Sequence, residues 1–133
     1  MPSQPTPPTV RPATAADVPG IGRAMARAFD GDPVWAHISP PSSNWVARAT
    51  AFFEVEARAK LAGEGEVLVA GDGPDDVRGA AIWAAPDHWK PTLREAVAIV
   101  PPSIRLFRTQ LPRAISALTR IEKLHPPEPP HWA

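Results

Sequence analysis

Nineteen of the 133 residues are proline, and their placement sets where this chain can be regular, because proline lacks an amide donor and has a fixed φ. They cluster at Pro2 to Pro12 and at Pro126 to Pro130, and the rest fall where patterned segments stop. The prolines mark edges: no Gly-X-Y period and no internal repeat accompanies them. Between the edges the chain is 44% hydrophobic, with five Trp and four Phe, a composition that folds. The length suits one domain that buries roughly two-thirds of its unfolded surface.

The boundaries divide the chain into readable elements. Residues 1–8 form a Pro-rich lead-in expected to be disordered, and 9–133 form the domain. Thr9 to Ala13 is a short strand, placed at a sheet edge by Pro12. Thr14 caps the next element, where Val18, Ile21, Met25, Ala28 and Phe29 recur at helical spacing and predict a helix over 15–29. Gly31, Asp32 and Pro33 end it. Residues 34–39 read as a loop or one-turn helix. From Ser43 as cap, Trp45, Ala49, Phe52, Phe53, Ala57 and Leu61 trace one face of a long helix that Gly63 closes. Glu66 to Ala70 and Val77 to Ala84 flank Gly-Asp-Gly-Pro-Asp-Asp and predict an antiparallel hairpin. A helix near 92–99 should break at Pro101 and Pro102 and resume over 104–107. A last helix over 112–124 should bury Ile115, Leu118 and Ile121.

Charge and cysteine content narrow the function classes. Fourteen basic residues balance fourteen acidic ones, so the net field favours neither nucleic acid nor an anionic membrane as partner. With no Cys there are no disulfides, thiolate nucleophiles or Cys-based zinc sites, which suits a reducing compartment, and cytoplasm is the expectation. No apolar run approaches the ~20 residues of a membrane-spanning helix.

Four stretches carry a resemblance. Val10-Arg11-Pro12-Ala13-Thr14 is followed by Ala16-Asp17-Val18, and Ala28-Phe29 by Asp32-Pro33. Gly79-Ala80-Ala81-Ile82-Trp83 lies on the second hairpin strand, and His125-Pro126 leads to Pro130-His131-Trp132. In this order the chain resembles the N-terminal half of a GNAT-superfamily N-acetyltransferase. The resemblance implies an α/β fold of α+β type, with three short antiparallel strands and about four helices. It also implies acetyl transfer from acetyl-CoA to an amine of a small molecule or peptide. In such relatives His-Trp opens the central strand and a Gly-rich loop comes after it. The expectation is therefore that the central strand and acetyl-CoA site lie outside these residues, and that the chain alone is inactive and binds no cofactor. The second hairpin strand would then offer its edge for self-association or complementation. Acceptor lining, by the same resemblance, falls to Phe29, Asp32, Trp35 and Trp83.

The residues present offer no strong phosphate cradle of their own. Asp17-Val18-Pro19-Gly20-Ile21-Gly22 comes nearest, but it sets an acid where the pattern has Arg or Gln and a proline among the needed amides. Gly63-Glu64-Gly65 and Gly71-Asp72-Gly73 each hold an acid that would repel phosphate, so they read as a helix stop and a hairpin turn. His125, Glu128 and His131 are metal-type ligands, but the prolines between them favour an extended connector. Asp30, Asp32, His37 and Glu54 are candidate bases that no spacing ties to a nucleophile. A different class stays open, a non-catalytic interaction module using its Pro-rich termini. Pro2, Pro5 and Pro8 keep the three-residue period of polyproline II.

Overall fold

The computed structural model describes residues 5–126 and Pro130. Residues 1–4 of the lead-in, together with Glu128, His131 and Trp132, lie outside the described residues. Strand β1 (Val10–Pro12) leads through a 3₁₀ turn (Ala15–Asp17) into α1 (Val18–Ala28), then α2 (Pro33–Ile38) and α3 (Trp45–Ala62). The hairpin β2 (Gly65–Ala70) and β3 (Gly79–Ala84) comes next, then α4 (Leu93–Phe107), a second 3₁₀ turn (Arg108–Gln110) and α5 (Leu111–Leu124). This is an α+β architecture of three antiparallel strands and four helices of some length, with the short α2 between the first two.

The strand order is β1-β2-β3, so β1 sits at an edge as Pro12 requires. Val67 faces Ile82 and Val69 faces Ala80 across the hairpin, and this face packs with Val18 and Ile21 of α1 and Ala57 of α3. Strand residues alternate faces, so Trp83, opposite Glu66, points away from the helices. Gly71 begins the turn at φ +150°, and a Cβ there would lie 1.7 Å from the Asp76 carbonyl oxygen, so only glycine fits.

Helix α3 is the spine of the domain. Trp45, Ala49, Phe53 and Ala57 form its buried stripe, at the i, i+4 spacing that keeps one face inward. A second core, on the helix side, joins Trp45, Ala49 and Phe53 to Ala26, Ile38, Leu106, Phe107 and Ala114, while Ala57 packs on the sheet. Its cap is Asn44, one residue after the Ser43 expected from the sequence. The Ser42 hydroxyl donates to the Asn44 side-chain oxygen at 2.9 Å and fixes the entry turn.

Two expectations need correction. Helix α4 runs unbroken through Pro101 and Pro102. Two prolines remove the donors for the carbonyls of Val97 and Ala98, but both of those residues are exposed and water can serve them. Pro102 is buried together with Leu106 and Phe107, so packing outweighs the broken ladder. In α5 the buried residue is Ala114, whereas Ile115, Leu118 and Ile121 are 56%, 50% and 58% exposed. The helix is amphipathic, and Leu111 packs against the core, yet Ile115, Leu118, Ile121 and Leu124 stay exposed.

Candidate functional site

The turn between α1 and α2 is built by local chemistry. Asp32 caps α2, its Oδ1 accepting from the amides of Val34 at 2.9 Å and Trp35 at 3.1 Å. Gly31 takes φ +79° just before it, a conformation that costs glycine little. The first turn of α2 then swings Trp35 inward, where its ring meets Phe29, Trp45, Phe52, Phe53 and Phe107 at centroid separations of 5.3–6.3 Å. Aromatic pairs at such separations add stabilisation beyond area burial. Buried Ser39 ties the end of α2 to α3: its hydroxyl donates to the Trp35 carbonyl at 2.6 Å and accepts from the Trp45 indole at 2.8 Å.

Beside this cluster lies a cavity of about 170 Å³, lined by Phe29, Asp30, Gly31, Trp35, Ser39 and Trp45 among others. Phe29 and Trp35, two of the four residues expected at an acceptor surface, share its wall. Asp32 is adjacent but spends its carboxylate on the cap, and Trp83 stands apart on the far face of the sheet. Sequence reasoning misses Ser39 and Trp45 at this site. Trp45 shows in the sequence only as part of a core stripe, and the indole-to-serine bond leaves no spacing signal.

The other candidate bases differ in their surroundings. Asp30 is exposed at the cavity wall, and His37 is exposed on α2. Glu54 pairs with Arg58 at 3.0 Å. A larger cavity of about 480 Å³ lies between α3 and the start of α4, lined by Val55, Ala59, Ala62 and Ala98 with Arg58, Arg94 and Glu95. Near it Lys60 pairs with Glu95 at 3.7 Å, and burial pushes the Glu56 carboxyl up from its ordinary range. Gly63, read in the sequence as a helix stop, also lines this second cavity, whereas Phe29, Asp32, Trp35 and Trp83 do not.

The glycines of the nearest phosphate-type motif hold protein atoms. A Cβ on Gly20 would meet Val77 Cγ2 at 2.7 Å, and one on Gly22 would meet the Thr50 carbonyl oxygen at 2.8 Å. Both glycines are buried, so they serve the close approach of α1 to α3 and the hairpin, and a pyrophosphate does not fit there. No cluster of three metal-type side chains occurs among the described residues. His125 stacks on Trp89 with centroids 4.1 Å apart.

The opening motif is a structural bracket. The buried Asp17 carboxylate accepts from both Arg11 terminal nitrogens, at 2.9 and 2.6 Å, and from the Thr14 amide and hydroxyl at 2.7 and 2.9 Å. The Arg11 hydrogen bonds, assisted by those from Thr14, hold the carboxyl well below the ordinary range against the opposing effect of burial. This bracket clamps β1 to the start of α1.

No protein-family model and no curated sequence matches the chain. A solved structure described as histone acetyltransferase HPA2 and related acetyltransferase, from Corynebacterium glutamicum ATCC 13032, matches with a TM-score of 0.60 and 27% identity. The match covers 96% of this chain and 57% of that one. The fold is GNAT-like. The chain thus spans somewhat more than half the length of the acetyltransferase it resembles. No helix among the described residues is long and apolar enough to cross a membrane.

Proposed function

We propose that this chain carries the acceptor-side portion of a GNAT-type N-acetyltransferase acting in the cytoplasm on an amine of a small molecule or peptide. The observation that carries the reading is the fold shared with an acetyltransferase over 96% of the chain at 27% identity. Acetyl-CoA belongs to the complete domain in this proposal, and its pyrophosphate is held by a segment outside these residues. The filled positions around Gly20 and Gly22 support that division.

On the acceptor side the chemistry is simple. An amine attacks only when neutral, so the site must hold it close while it sheds a proton. The cavity wall includes the aromatic residues Phe29, Trp35 and Trp45, a residue type that attracts cations, and Asp30 adds a carboxylate beside them. Together they suit an incoming ammonium group. Strand β3 supplies the junction: its outer edge has no strand partner among the described residues, and a completing strand can pair there.

The test mixes this chain with the portion of the Corynebacterium acetyltransferase that lies outside the matched region, and monitors free CoA release with a panel of amines. The expected result is release from the mixture and none from either part alone. A soluble, demonstrably bound pair that releases no CoA with any amine overturns the proposal.

A further inference from the structure

The segments that build one end of the domain contain no acid. Neither Asp nor Glu occurs in residues 33–53 or 96–121, and the permanent cations there are all arginine: Arg48, Arg105, Arg108, Arg113 and Arg120. Arg120 stands on the far half of α5. The other four lie near the start of α3, at the end of α4 and at the start of α5, where Arg113 reaches the His37 carbonyl of α2 at 3.4 Å. None of these four takes part in an ion pair among the described residues. Of the acids bordering the two segments, Asp32 caps α2, Glu54 pairs with Arg58, Glu95 pairs with Lys60, and Glu122 lies near the far end of α5. Asp30 sits on the wall of the smaller cavity.

Two of these arginines are held near each other at a cost. Arg48 lies between Trp45 and Ala49 on α3, and Arg108 follows Phe107; Trp45, Ala49 and Phe107 share one buried cluster, so both arginines border the same core. Arg48 donates to the Asn44 side-chain oxygen and to the Pro40 carbonyl at 3.5 Å, while its Nε is buried with no hydrogen-bond partner. A buried orphan donor is destabilising. Burial, and after it the Arg108 charge, holds the Arg48 guanidinium below its ordinary range. Arg108 itself ends α4 at φ +48° and ψ −123°, a region that glycine adopts freely and a residue with a side chain adopts at a cost. Helix stops at positive φ ordinarily take glycine. Repulsion, an orphaned donor and backbone strain thus meet at one pair of residues, and strain of this kind gathers at ligand clamps.

We infer that Arg48 and Arg108 form a clamp for a small tetrahedral oxyanion of the phosphate type. Two planar guanidinium forks supply paired donors to several oxygens, and a doubly charged ion offsets both cations. A second copy of this end would bring cation to cation. The part-buried Arg48 favours a small ion over a broad macromolecular surface. Affinity for the bare ion is expected to be on the order of millimolar, as suits a ligand with few contacts, so micromolar acetyl-CoA leaves the clamp largely empty. The inference stands independently of the acetyltransferase reading.

The experiment follows the arginine Nε–H signals of the full 133-residue chain by nuclear magnetic resonance during titration with inorganic phosphate, against chloride at matched ionic strength. The Arg48 and Arg108 signals should move together along one saturable curve, while Arg58 and Arg78, each already paired with a carboxylate, stay in place. Arg48→Gln, read at Arg108, and Arg108→Gly, read at Arg48, should each weaken binding by about tenfold or more. Arg108→Gly should also raise the midpoint of thermal unfolding in chloride by roughly 2–5 °C, because glycine relieves the strain; this variant therefore tests the clamp even if Arg48→Gln fails to fold. Acetate, with one charge, should bind several-fold more weakly than phosphate. The inference is overturned by the lack of a saturable shift, by equal movement of every arginine, which marks an ionic atmosphere only, or by unchanged affinity in either variant. A lowered midpoint for Arg108→Gly overturns it too, as does acetate binding as tightly as phosphate, since the pair would then suit a side-chain carboxylate.

Discussion

Replacing Asp17 by Asn removes the charge from the bracket while keeping its shape, and the loss can be worked from its four hydrogen bonds. The new amide group still offers one oxygen to Thr14, but it places N–H donors against the Arg11 guanidinium. Removing one partner from a fully buried ion pair costs about 3–5 kcal/mol. Here no water reaches Asp17, but the site is shallow and the Arg11 side chain is 26% exposed, so solvent screening brings the expectation down to about 2–3 kcal/mol. Set against a total stability of ~5–15 kcal/mol, that should lower the midpoint of thermal unfolding by roughly 10 °C for a domain of this size. The pH dependence carries the sign. The folded Asp17 carboxyl titrates below its unfolded value, so its stabilisation is complete above the unfolded pKa, near ~4, and drains as pH falls toward the depressed folded value. Asp76 and Glu95 are also held low, by Arg78 and by the Thr92 amide respectively, so the comparison must be between variant and parent. Thermal unfolding monitored by circular dichroism from about pH 7 to about pH 3 should show the gap between the two proteins closing as acid is added. A variant within ~0.5 kcal/mol of the parent at neutral pH, or a gap that stays constant with pH, would mean that the bracket is not held by charge.

Phe53→Ala should destabilise the domain by about 3–5 kcal/mol in denaturant unfolding, and Phe52→Ala by less, because Phe53 is buried and Phe52 only half-buried; equal effects would misplace the buried face of α3. Gly22→Ala should be destabilising despite the better helix propensity of alanine, since its Cβ would press on Thr50 backbone; a rise in melting temperature would show that α1 can slide. Deleting residues 1–8 should leave unfolding unchanged, because residues 5–8 are exposed; a lost binding partner in a pull-down would instead favour the interaction-module reading.

Much of the fold is legible in the sequence because local chemistry and tertiary packing agree there. Pro12 announces an edge strand, and the stripe from Trp45 to Leu61 announces α3. Gly-Asp-Gly-Pro-Asp-Asp announces a hairpin whose first glycine no other residue can replace. Local rules mislead where packing overrules them. Pro101 and Pro102 forbid two helical hydrogen bonds, but burial of Pro102 beside Leu106 and Phe107 carries α4 through them. The aliphatic spacing of α5 marks an amphipathic helix and cannot reveal that Ile115, Leu118 and Ile121 stay exposed. At the site, Phe29 and Trp35 are reached through resemblance, whereas Ser39 joins them only through two hydrogen bonds between elements that a linear pattern does not record. Gly20 and Gly22 show the opposite hazard, a ligand-like motif whose small residues exist to let neighbouring elements touch.

If these residues form the acceptor side of an acetyltransferase fold, completed for cofactor binding at the free edge of β3, the two halves of that statement separate in a single experiment. Backbone amide spectra of the isotopically labelled chain are recorded with acetyl-CoA alone and then with the completing C-terminal segment. Acetyl-CoA alone should produce no saturable change, and the added segment should produce shifts with slowed hydrogen exchange across Gly79–Ala84. Saturable shifts at Gly20, Ile21 and Gly22 with acetyl-CoA alone, or a bound segment that leaves the β3 amides unchanged, would contradict this division of the fold.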